Sequence, residues 1–289
     1  MMIMQRALRG FFLLVFFGSL LGLSIPSHAQ GVTITPAAPE AYQPFTIEYS
    51  ISCPLPSNND VDVYVRPDAV VIETRHLDPG FVCPVVDQTA VVGGLSGGTY
   101  PLKFRGRDWN SSGELGPEGP AVVNIAIAPA PPTQPVFAFY NGNIDHYFIT
   151  AGTAEKDSLL NGGGGGGWAI VDEGFNAWPA AGPAPDAAEP VCRFYSAVVN
   201  SHFYTAGPSE CEMLKQPSSG WTYEGIAFRA LVPTKGSCYP GTVPVWRLYN
   251  DRAAQSDSNH RFVASVDTYR HMIANGWIGE GVAFCSPES

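Results

Sequence analysis

The chain has 289 residues and a formal net charge of −10, and it contains 31 glycines and 26 prolines. Basic residues are few and nowhere clustered in the sequence, so binding to nucleic-acid phosphates is not expected. The low charge content and the many aromatic and turn residues are typical of a β-rich extracellular protein, and the length suggests two domains.

Residues 1–29 have the features of a secretory signal peptide. Arg6 and Arg9 precede the apolar run FFLLVFFGSLLGL, and Ser27-His28-Ala29 fits the small-residue cleavage rule. The run is short for a membrane span, so we predict cleavage after Ala29, with a retained anchor as the alternative. The mature protein is then expected to be secreted, extracellular or periplasmic, with no membrane span.

Six cysteines in an exported chain predict up to three disulfides. We expect pairing in chain order, because each pair then lies within one folding unit: Cys53 with Cys83, Cys192 with Cys211, and Cys238 with Cys285. The sequence has no CxxC spacing, which argues against a zinc ribbon or a redox dithiol.

Residues 30–128 contain about seven segments of alternating apolar residues separated by turn residues. This pattern predicts an immunoglobulin-like or fibronectin-like β-sandwich. Leu95, Gly98 and Tyr100 resemble the turn before the sixth strand of such sandwiches, with Tyr100 as a tyrosine corner. The overlapping stretch GLSGG, residues 94–98, also matches the G-x-S-x-G motif of hydrolases. A strand-like segment follows it, so we prefer a turn to a nucleophile elbow.

Residues 129–135 are rich in proline and predict a semi-rigid linker. The following domain, 136–289, contains one pattern three times, in residues 136–179, 191–233 and 245–287. Each copy holds a strand ending in an aromatic pair or Leu-Tyr, a histidine, a helical segment, and a closing segment with Trp, Glu, Gly and Phe. The repeated residues are His146, His202 and His260; Trp168, Trp221 and Trp277; and Glu173, Glu224 and Glu280.

A unit of about 45 residues cannot bury its own apolar face, so three copies are expected to close around a pseudo-threefold core. The sequence therefore predicts a mainly β chain in which a trefoil-like or prism-like module, with one short helix per repeat, follows the sandwich. A small propeller is the alternative. Ser209 is expected to start the helix of the middle copy. Gly174, Gly225 and Gly281 are expected at bulges or close backbone approaches.

The segments HFYT, the helix with its glutamate and G-W-x-x-E-G-x-A-F resemble a secreted repeat family of unknown function, found at the C-termini of multi-domain bacterial and fungal exoproteins. The resemblance covers residues 136–287 and fits the middle copy best. The first copy departs from it in a longer Trp-to-Glu gap and a hexaglycine, and the last copy has HRFVAS in place of HFYT. These departures indicate that the copies are not equally functional, and the resemblance implies no particular activity.

The repeated histidines raise the alternative of a three-histidine zinc site on the threefold axis. The spacing from histidine to helix differs in the first copy and no acidic ligand is specified, so we prefer hydrogen bonds within each unit and expect no metal or other cofactor. The tryptophans and glutamates suggest shallow sugar sites, in which a ring stacks on the sugar and a carboxylate accepts hydroxyl hydrogen bonds. The alternative is that tryptophan fills the core and glutamate holds a turn.

We therefore expect a secreted, non-catalytic module that recognises a carbohydrate or cell-envelope polymer. The alternative is a protein–protein adhesion or scaffold module, which a large exposed apolar patch would favour. An enzyme or a hydrolase accessory domain is less favoured, because the sequence shows no nucleophile–base–acid set. A cleft joining histidines and glutamates of different copies would favour an enzyme.

Overall fold

The computed structural model describes residues 30–52, 62–66, 68–76, 85–108 and 115–288. The predicted signal peptide and the predicted pair Cys53–Cys83 lie outside the described residues. The described chain is mainly β, and no helix in it is long and apolar enough to cross a membrane.

The N-terminal strands form two sheets with a common core. They are β1 (Gln30–Thr35), β2 (Phe45–Ser52), β3 (Asp62–Arg66), β4 (Ala69–His76), β5 (Val85–Val92), β6 (Gly98–Asp108), β7 (Leu115–Glu118) and β8 (Val123–Ile127). One sheet has the order β1-β2-β5, and the other has the order β3-β4-β6-β7, with β8 also on β6. Ile47, Ile72 and Leu102 are fully buried between the sheets, because alternate residues of each strand face inward. The arrangement is sandwich-like.

The predicted turn before the sixth strand is present. The hydroxyl of Tyr100 donates to the carbonyl of Ser96 at 3.1 Å and lies 2.8 Å from the Ser96 hydroxyl. Strand β6 follows at once, so Ser96 occupies a turn and not the strand-to-helix elbow that a hydrolase nucleophile requires.

The C-terminal chain repeats the order strand, strand, helix, strand three times. The first unit is β9 (Gln134–Asn141), β10 (His146–Thr150), α1 (Thr153–Leu160) and β11 (Trp168–Ala177); the second is β12 (Ala188–Ser196), β13 (Ser201–Thr205), α2 (Pro208–Leu214) and β14 (Thr222–Leu231); the third is β15 (Thr242–Tyr249), β16 (His260–Val263), α3 (Val266–Ala274) and β17 (Ile278–Pro287). In each unit the first strand lies between the second and third strands and pairs with both in antiparallel fashion. Short 3₁₀ turns occupy Pro217–Ser219 and Ala253–Gln255.

Equivalent phenylalanines from the third strands meet in the centre of the module. The ring centroids of Phe175, Phe228 and Phe284 lie 5.7, 6.1 and 5.6 Å apart, which closes a triangle. Each ring is buried, and each pairs in register with a buried valine of the first strand of its own unit. The three units therefore share one core, as their small size requires.

The pairing register corrects the predicted equivalence of the histidines. Tyr195 lies opposite His202 and Tyr249 lies opposite His260, but in the first unit Tyr140 lies opposite Tyr147. The residue equivalent to His202 and His260 is therefore Tyr147. His146 is one position earlier and corresponds to Ser201 and Asn259 in the other units.

A similar correction applies to Glu173. Each closing segment has seven positions from tryptophan to the central phenylalanine, as from Trp168 to Phe175 and from Trp221 to Phe228. On this spacing Val171, not Glu173, is equivalent to Glu224 and Glu280.

The repeated glycines lie where the strand pairing shifts register, as predicted. Gly225 and Gly281 have φ angles of +110° and +88°, which favour glycine, and register shifts occur beside them. Gly174 differs, because a Cβ there would lie 2.9 Å from the carbonyl oxygen of Val136. It permits a close approach of two strands.

The expected helix start at Ser209 is wrong by two residues. The N-cap of α2 is Gly207, which has no side chain to cap the helix, and Pro208 is the first helical residue. The amide of Gly207 instead donates to the Thr205 hydroxyl at 2.9 Å. Proline fits the first helical position because its missing N–H has no partner there.

Two of the predicted disulfides are formed, Cys192–Cys211 within the second unit and Cys238–Cys285 around the third. Strand β8 ends before the predicted linker, residues 129–135, and strand β9 begins at Gln134, within the last residues of that linker. The N-terminal sheets and the repeat units contact each other directly through the fully buried Trp178.

Candidate functional site

Ring contacts join each repeat unit to the next. The Phe148 ring of the first unit meets the imidazole of His202 at 4.8 Å, edge to face, and the Phe203 ring of the second unit meets His260 at the same distance. At the remaining boundary the Arg261 guanidinium lies 4.2 Å from the centroid of Tyr147. Equivalent positions therefore meet at all three boundaries, but only two of them pair phenylalanine with histidine.

The boundary between the first and second units, here the first junction, has a charged cluster beside the rings. Arg193 contacts Glu224 through Nε at 2.9 Å and Glu155 of helix α1 through Nη1 at 2.8 Å. His202 Nε2 lies 3.3 Å from the same Glu224 oxygen, Oε2. One guanidinium thus holds carboxylates from two units.

The boundary between the second and third units, the second junction, repeats this cluster. Arg247 Nε lies 2.8 Å from Glu280, Arg247 Nη1 lies 3.4 Å from Glu210 of α2, and His260 Nε2 lies 3.3 Å from Glu280. Burial opposes ionisation of Glu280, but the His260 hydrogen bond and the Arg247 charge outweigh it and lower the pKa of this carboxyl.

The boundary between the third and first units, the third junction, lacks the cluster. Ala138 takes the place of the arginine and Val171 takes the place of its glutamate. Arg261 instead approaches Glu173 at 3.9 Å, and the Thr268 hydroxyl of α3 donates to the same carboxylate. At this junction the two units pack on each other through Arg261 and Tyr147, without an arginine between two glutamates; it is called a packing contact below.

The imidazole of His202 is held in its neutral form at physiological pH. Burial disfavours the charged ring, and the Arg193 charge adds to this effect, while Glu155 opposes it. Together these effects lower the pKa of His202 to about 4. A neutral imidazole beside Glu224 presents one donor and one acceptor nitrogen, which suits hydroxyl-bearing ligands.

A cleft of about 500 Å³ opens at the first junction. Trp168, Tyr195 and Phe148 supply its aromatic rings, and Glu155 and Glu224 supply carboxylates. Its other lining residues include His146, Asn200, Ser201, His202 and Asn259, so the cleft joins residues of all three units. The volume is within the range of small-molecule binding sites.

Cavities at the other two junctions differ sharply in size. A cleft of about 370 Å³ reaches Glu210, Arg247 and Glu280 at the second junction. At the third junction a cavity beside Arg261 and Glu173 is about 10 Å³, which is room for about one water molecule.

The predicted histidines do not share one site. His146 is almost fully buried, with Nε2 2.6 Å from Asp257 and Nδ1 3.1 Å from the carbonyl oxygen of Asn200. These partners belong to the third and second units, so the expected hydrogen bond within its own unit is wrong for His146. His202 and His260 lie at two different junctions. No group of three or more His, Cys, Asp or Glu side chains in the described ranges is placed to hold a metal ion. The geometry gives no support to the zinc alternative.

The three predicted tryptophans are half-buried and have different neighbours. Trp168 lines the first cleft and donates through Nε1 to the carbonyl of Gly164 in the hexaglycine segment. Trp221 packs on Phe203, and Trp277 packs against Tyr147 of the first unit. Trp168 therefore combines a core contact with a surface in a cleft.

Several site residues were not predicted from the sequence, although the repeats contain their signal. Arg193 and Arg247 occupy the same place in VCRFY and VWRLY, and Glu155 and Glu210 occupy the same place in the helical segments. The first copy has Ala138 at the arginine position, and the third copy has Thr268 at the glutamate position. The contact between arginine and helix glutamate joins different units, so inspection of a single copy does not reveal it.

The comparisons with known proteins identify a family for the repeat module alone. No curated protein and no solved structure matches the chain. A family model described as "Domain of unknown function (DUF5648)" matches residues 135–287, from the start of β9 to the end of β17. The chain, three strand–strand–helix–strand units around one core, belongs to that family.

Proposed function

We propose that the repeat module binds a carbohydrate polymer of a cell envelope, with the first junction as its binding site. The observation that carries the proposal is the cleft of about 500 Å³, in which aromatic rings and carboxylates from neighbouring units face one space. Sugars present flat C–H faces and many hydroxyl donors, so a ring beside a hydrogen-bond acceptor matches both features.

The lining of the cleft supports this assignment in detail. Trp168 offers a half-buried ring that its contact with Phe148 holds in place, at 5.9 Å between centroids. Glu155 and Glu224 contact Arg193 through Oε2, which leaves the other oxygen of each for a ligand. Side chains fixed in this way lose little entropy on binding.

The same geometry argues for binding over hydrolysis. Glycosidases place two carboxyl groups on opposite sides of the scissile bond. Glu155 and Glu224 instead converge on one guanidinium, and His202 adjoins one of them. The cleft does join histidines and glutamates of different copies, so product release from each polymer is measured alongside binding.

Replacement of Trp168 tests the proposal. The chain from residue 30 onward is incubated with chitin, cellulose, xylan and peptidoglycan, and affinity is measured with chitohexaose, cellohexaose, xylohexaose and soluble peptidoglycan strands. We expect selective binding to one polymer. Trp168→Ala should weaken the first site at least about tenfold, because a lost apolar contact of this size costs about 1.5–3 kcal/mol, and Trp168→Phe should keep part of the affinity.

The matched control is Tyr223→Ala, since Tyr223 is an exposed aromatic of the second unit outside both clefts. This variant should bind like the parent. Equal losses in Tyr223→Ala and Trp168→Ala, or no binding of the parent to any of the four polymers, contradict the proposal.

A second candidate function is protein–protein adhesion, and strand β5 favours it. This strand lies at the end of its sheet, and Val85, Val86 and Val91 are exposed along it. An exposed apolar edge can accept a further strand from a partner. Replacing Val91 with lysine should then abolish partner binding and leave polymer binding intact.

We also infer that the chain is exported and that its two domains are an immunoglobulin-like sandwich and a trefoil-like or prism-like module. The two disulfides support an oxidising compartment. The hydrogen bond from Tyr100 to the backbone of Ser96 supports the immunoglobulin-like assignment, and the central phenylalanine triangle supports a threefold module.

A further inference from the structure

We propose that the second junction is a second carbohydrate site, so that the module binds its polymer at two places and not at three. This inference rests on the proposed function of the first junction. It assigns a binding role to Glu210, Arg247 and Glu280, and it assigns none to the third junction.

The two junctions agree contact by contact. The distance from arginine Nε to the glutamate of the third strand is 2.9 Å at the first junction and 2.8 Å at the second. The distance from histidine to this glutamate is 3.3 Å at both. The tyrosine that faces each histidine lies at 4.9 Å in one case and 5.0 Å in the other.

The helix glutamates are matched as well. Glu155 and Glu210 each occupy the third position of their helix, and their side chains are 35% and 36% exposed. Each reaches the arginine of the following unit, at 2.8 and 3.4 Å. A polymer hydroxyl therefore has the same carboxylate available at both places.

Open volume accompanies the charged cluster. The two junctions with an arginine between two glutamates have clefts of about 500 and 370 Å³. At the junction without the cluster, the cavity beside Arg261 and Glu173 is about 10 Å³, too little for a sugar ring. In the third junction, the Arg261 side chain lies over Tyr147 and occupies the equivalent contact.

The second cleft lies on a different side of its charged cluster from the first. Glu210 and Glu280 line it, but His260 and Tyr249, the counterparts of His202 and Tyr195, do not. Its apolar lining differs as well. Pro208, Val232, Pro233 and Val282 lie along it, whereas Trp168 lines the first cleft. Without a tryptophan face the second site stacks less strongly on a sugar, so we expect it to be the weaker of the two. Its carboxylates still supply the acceptors for hydroxyl groups.

Three matched substitutions count the sites. Glu155→Ala removes the helix carboxylate of the first junction, Glu210→Ala removes that of the second, and Thr268→Ala changes the equivalent position of the third. Isothermal titration uses the whole mature chain with chitohexaose, cellohexaose, xylohexaose and soluble peptidoglycan strands. Circular dichroism and the melting temperature establish that each variant is folded.

We expect two ligands per chain in the parent and in Thr268→Ala, and one ligand in each glutamate variant. The residual site of Glu155→Ala should be the weaker one. Avidity should make binding of Glu210→Ala to the intact polymer about 100-fold weaker than that of the parent, because linked sites gain about 10²–10⁴ in apparent affinity.

The outcomes separate the two proposals. One ligand per chain in the parent, lost in Glu155→Ala and unchanged in Glu210→Ala, overturns the second site and leaves the first. Loss of a ligand in Thr268→Ala overturns the assignment of the third junction as a packing contact. Binding of none of the four probes overturns both proposals.

Discussion

His202 shows how a single residue of the first junction couples the site to pH. Its pKa is about 4 in the folded chain and 6.5 in an unstructured one, so the unfolded state binds a proton more readily between these values. Stability contributed by neutral His202 is therefore present above about pH 6.5 and is lost as the pH falls toward 4. The shift corresponds to about 3 kcal/mol at most.

Urea unfolding of the parent and of His202→Gln at pH 7 and pH 4.5 measures this contribution. We expect the stability advantage of the parent over the variant to shrink by about 2–3 kcal/mol on acidification. Carboxyl groups titrate in both proteins, so their effect cancels in the difference between the stabilities of the parent and the variant. A difference that does not change between the two pH values would show that burial and Arg193 do not depress this pKa.

At the scale of elements, each helix is tied to the first strand of its unit at one equivalent place, and the chemistry of the tie differs in each unit. The three ties are a cation–π contact of Lys156 over Phe137 at 5.0 Å, the disulfide Cys192–Cys211, and the stacked rings of Trp246 and Tyr269 at 5.6 Å. A helix of seven to nine residues is unstable alone, so this contact fixes it in place.

The disulfide should contribute the largest share among the three ties. Replacing both Cys192 and Cys211 by alanine should lower the free energy of unfolding by about 3 kcal/mol, since the bond closes a loop between residues 19 apart. Chemical denaturation measures this loss. Cys192→Phe with Cys211→Lys recreates the pair of the first unit and should recover part of it. Equal stability of the alanine and Phe/Lys proteins would contradict a stabilising role for the cation–π contact.

The sequence predicts the number, order and extent of these elements well, because periodicity and turn residues are local properties. If the three copies are aligned on their histidines and glutamates, however, the predicted register of the first unit is wrong. His146 and Glu173 are displaced by one and two positions, whereas the tyrosines and the Trp-to-Phe spacing keep the true register. The junctions are harder still, since Glu155 meets Arg193 only after two units pack together.

At the scale of the whole molecule, Trp178 joins the sandwich to the repeat module. Its ring is fully buried and meets the ring of Tyr42, a residue of the sandwich, in an edge-to-face contact with 5.8 Å between centroids. Its Nε1 donates to the carbonyl of Pro131 at 2.9 Å. Tyr239, next to Cys238 of the Cys238–Cys285 bridge, also meets the Tyr42 ring, at 5.9 Å between centroids. The proline-rich segment thus connects two domains that share buried surface.

Trp178→Ala should uncouple the domains. Loss of a buried tryptophan costs about 3–5 kcal/mol, and here the cost falls on the interface, so we expect one calorimetric transition in the parent and two in the variant. Trp178→Phe keeps a ring but loses the hydrogen bond and part of the buried volume, so it should lie between the parent and Trp178→Ala. A single transition in Trp178→Ala would show that the two domains unfold together without this contact.

The second unit alone carries both halves of a junction. Phe203 and Glu210 serve the unit that follows, while His202, Arg193 and Glu224 receive the unit that precedes. Three identical chains of residues 188–233 would therefore carry the ring contact and the charged cluster at each of three boundaries. Neither the first nor the third unit carries both halves. Ala138 replaces the arginine in the first unit, and Arg261 and Thr268 replace the phenylalanine and the helix glutamate in the third. With three units in one chain, one boundary can differ from the other two, whereas three identical subunits related by symmetry would have three identical boundaries.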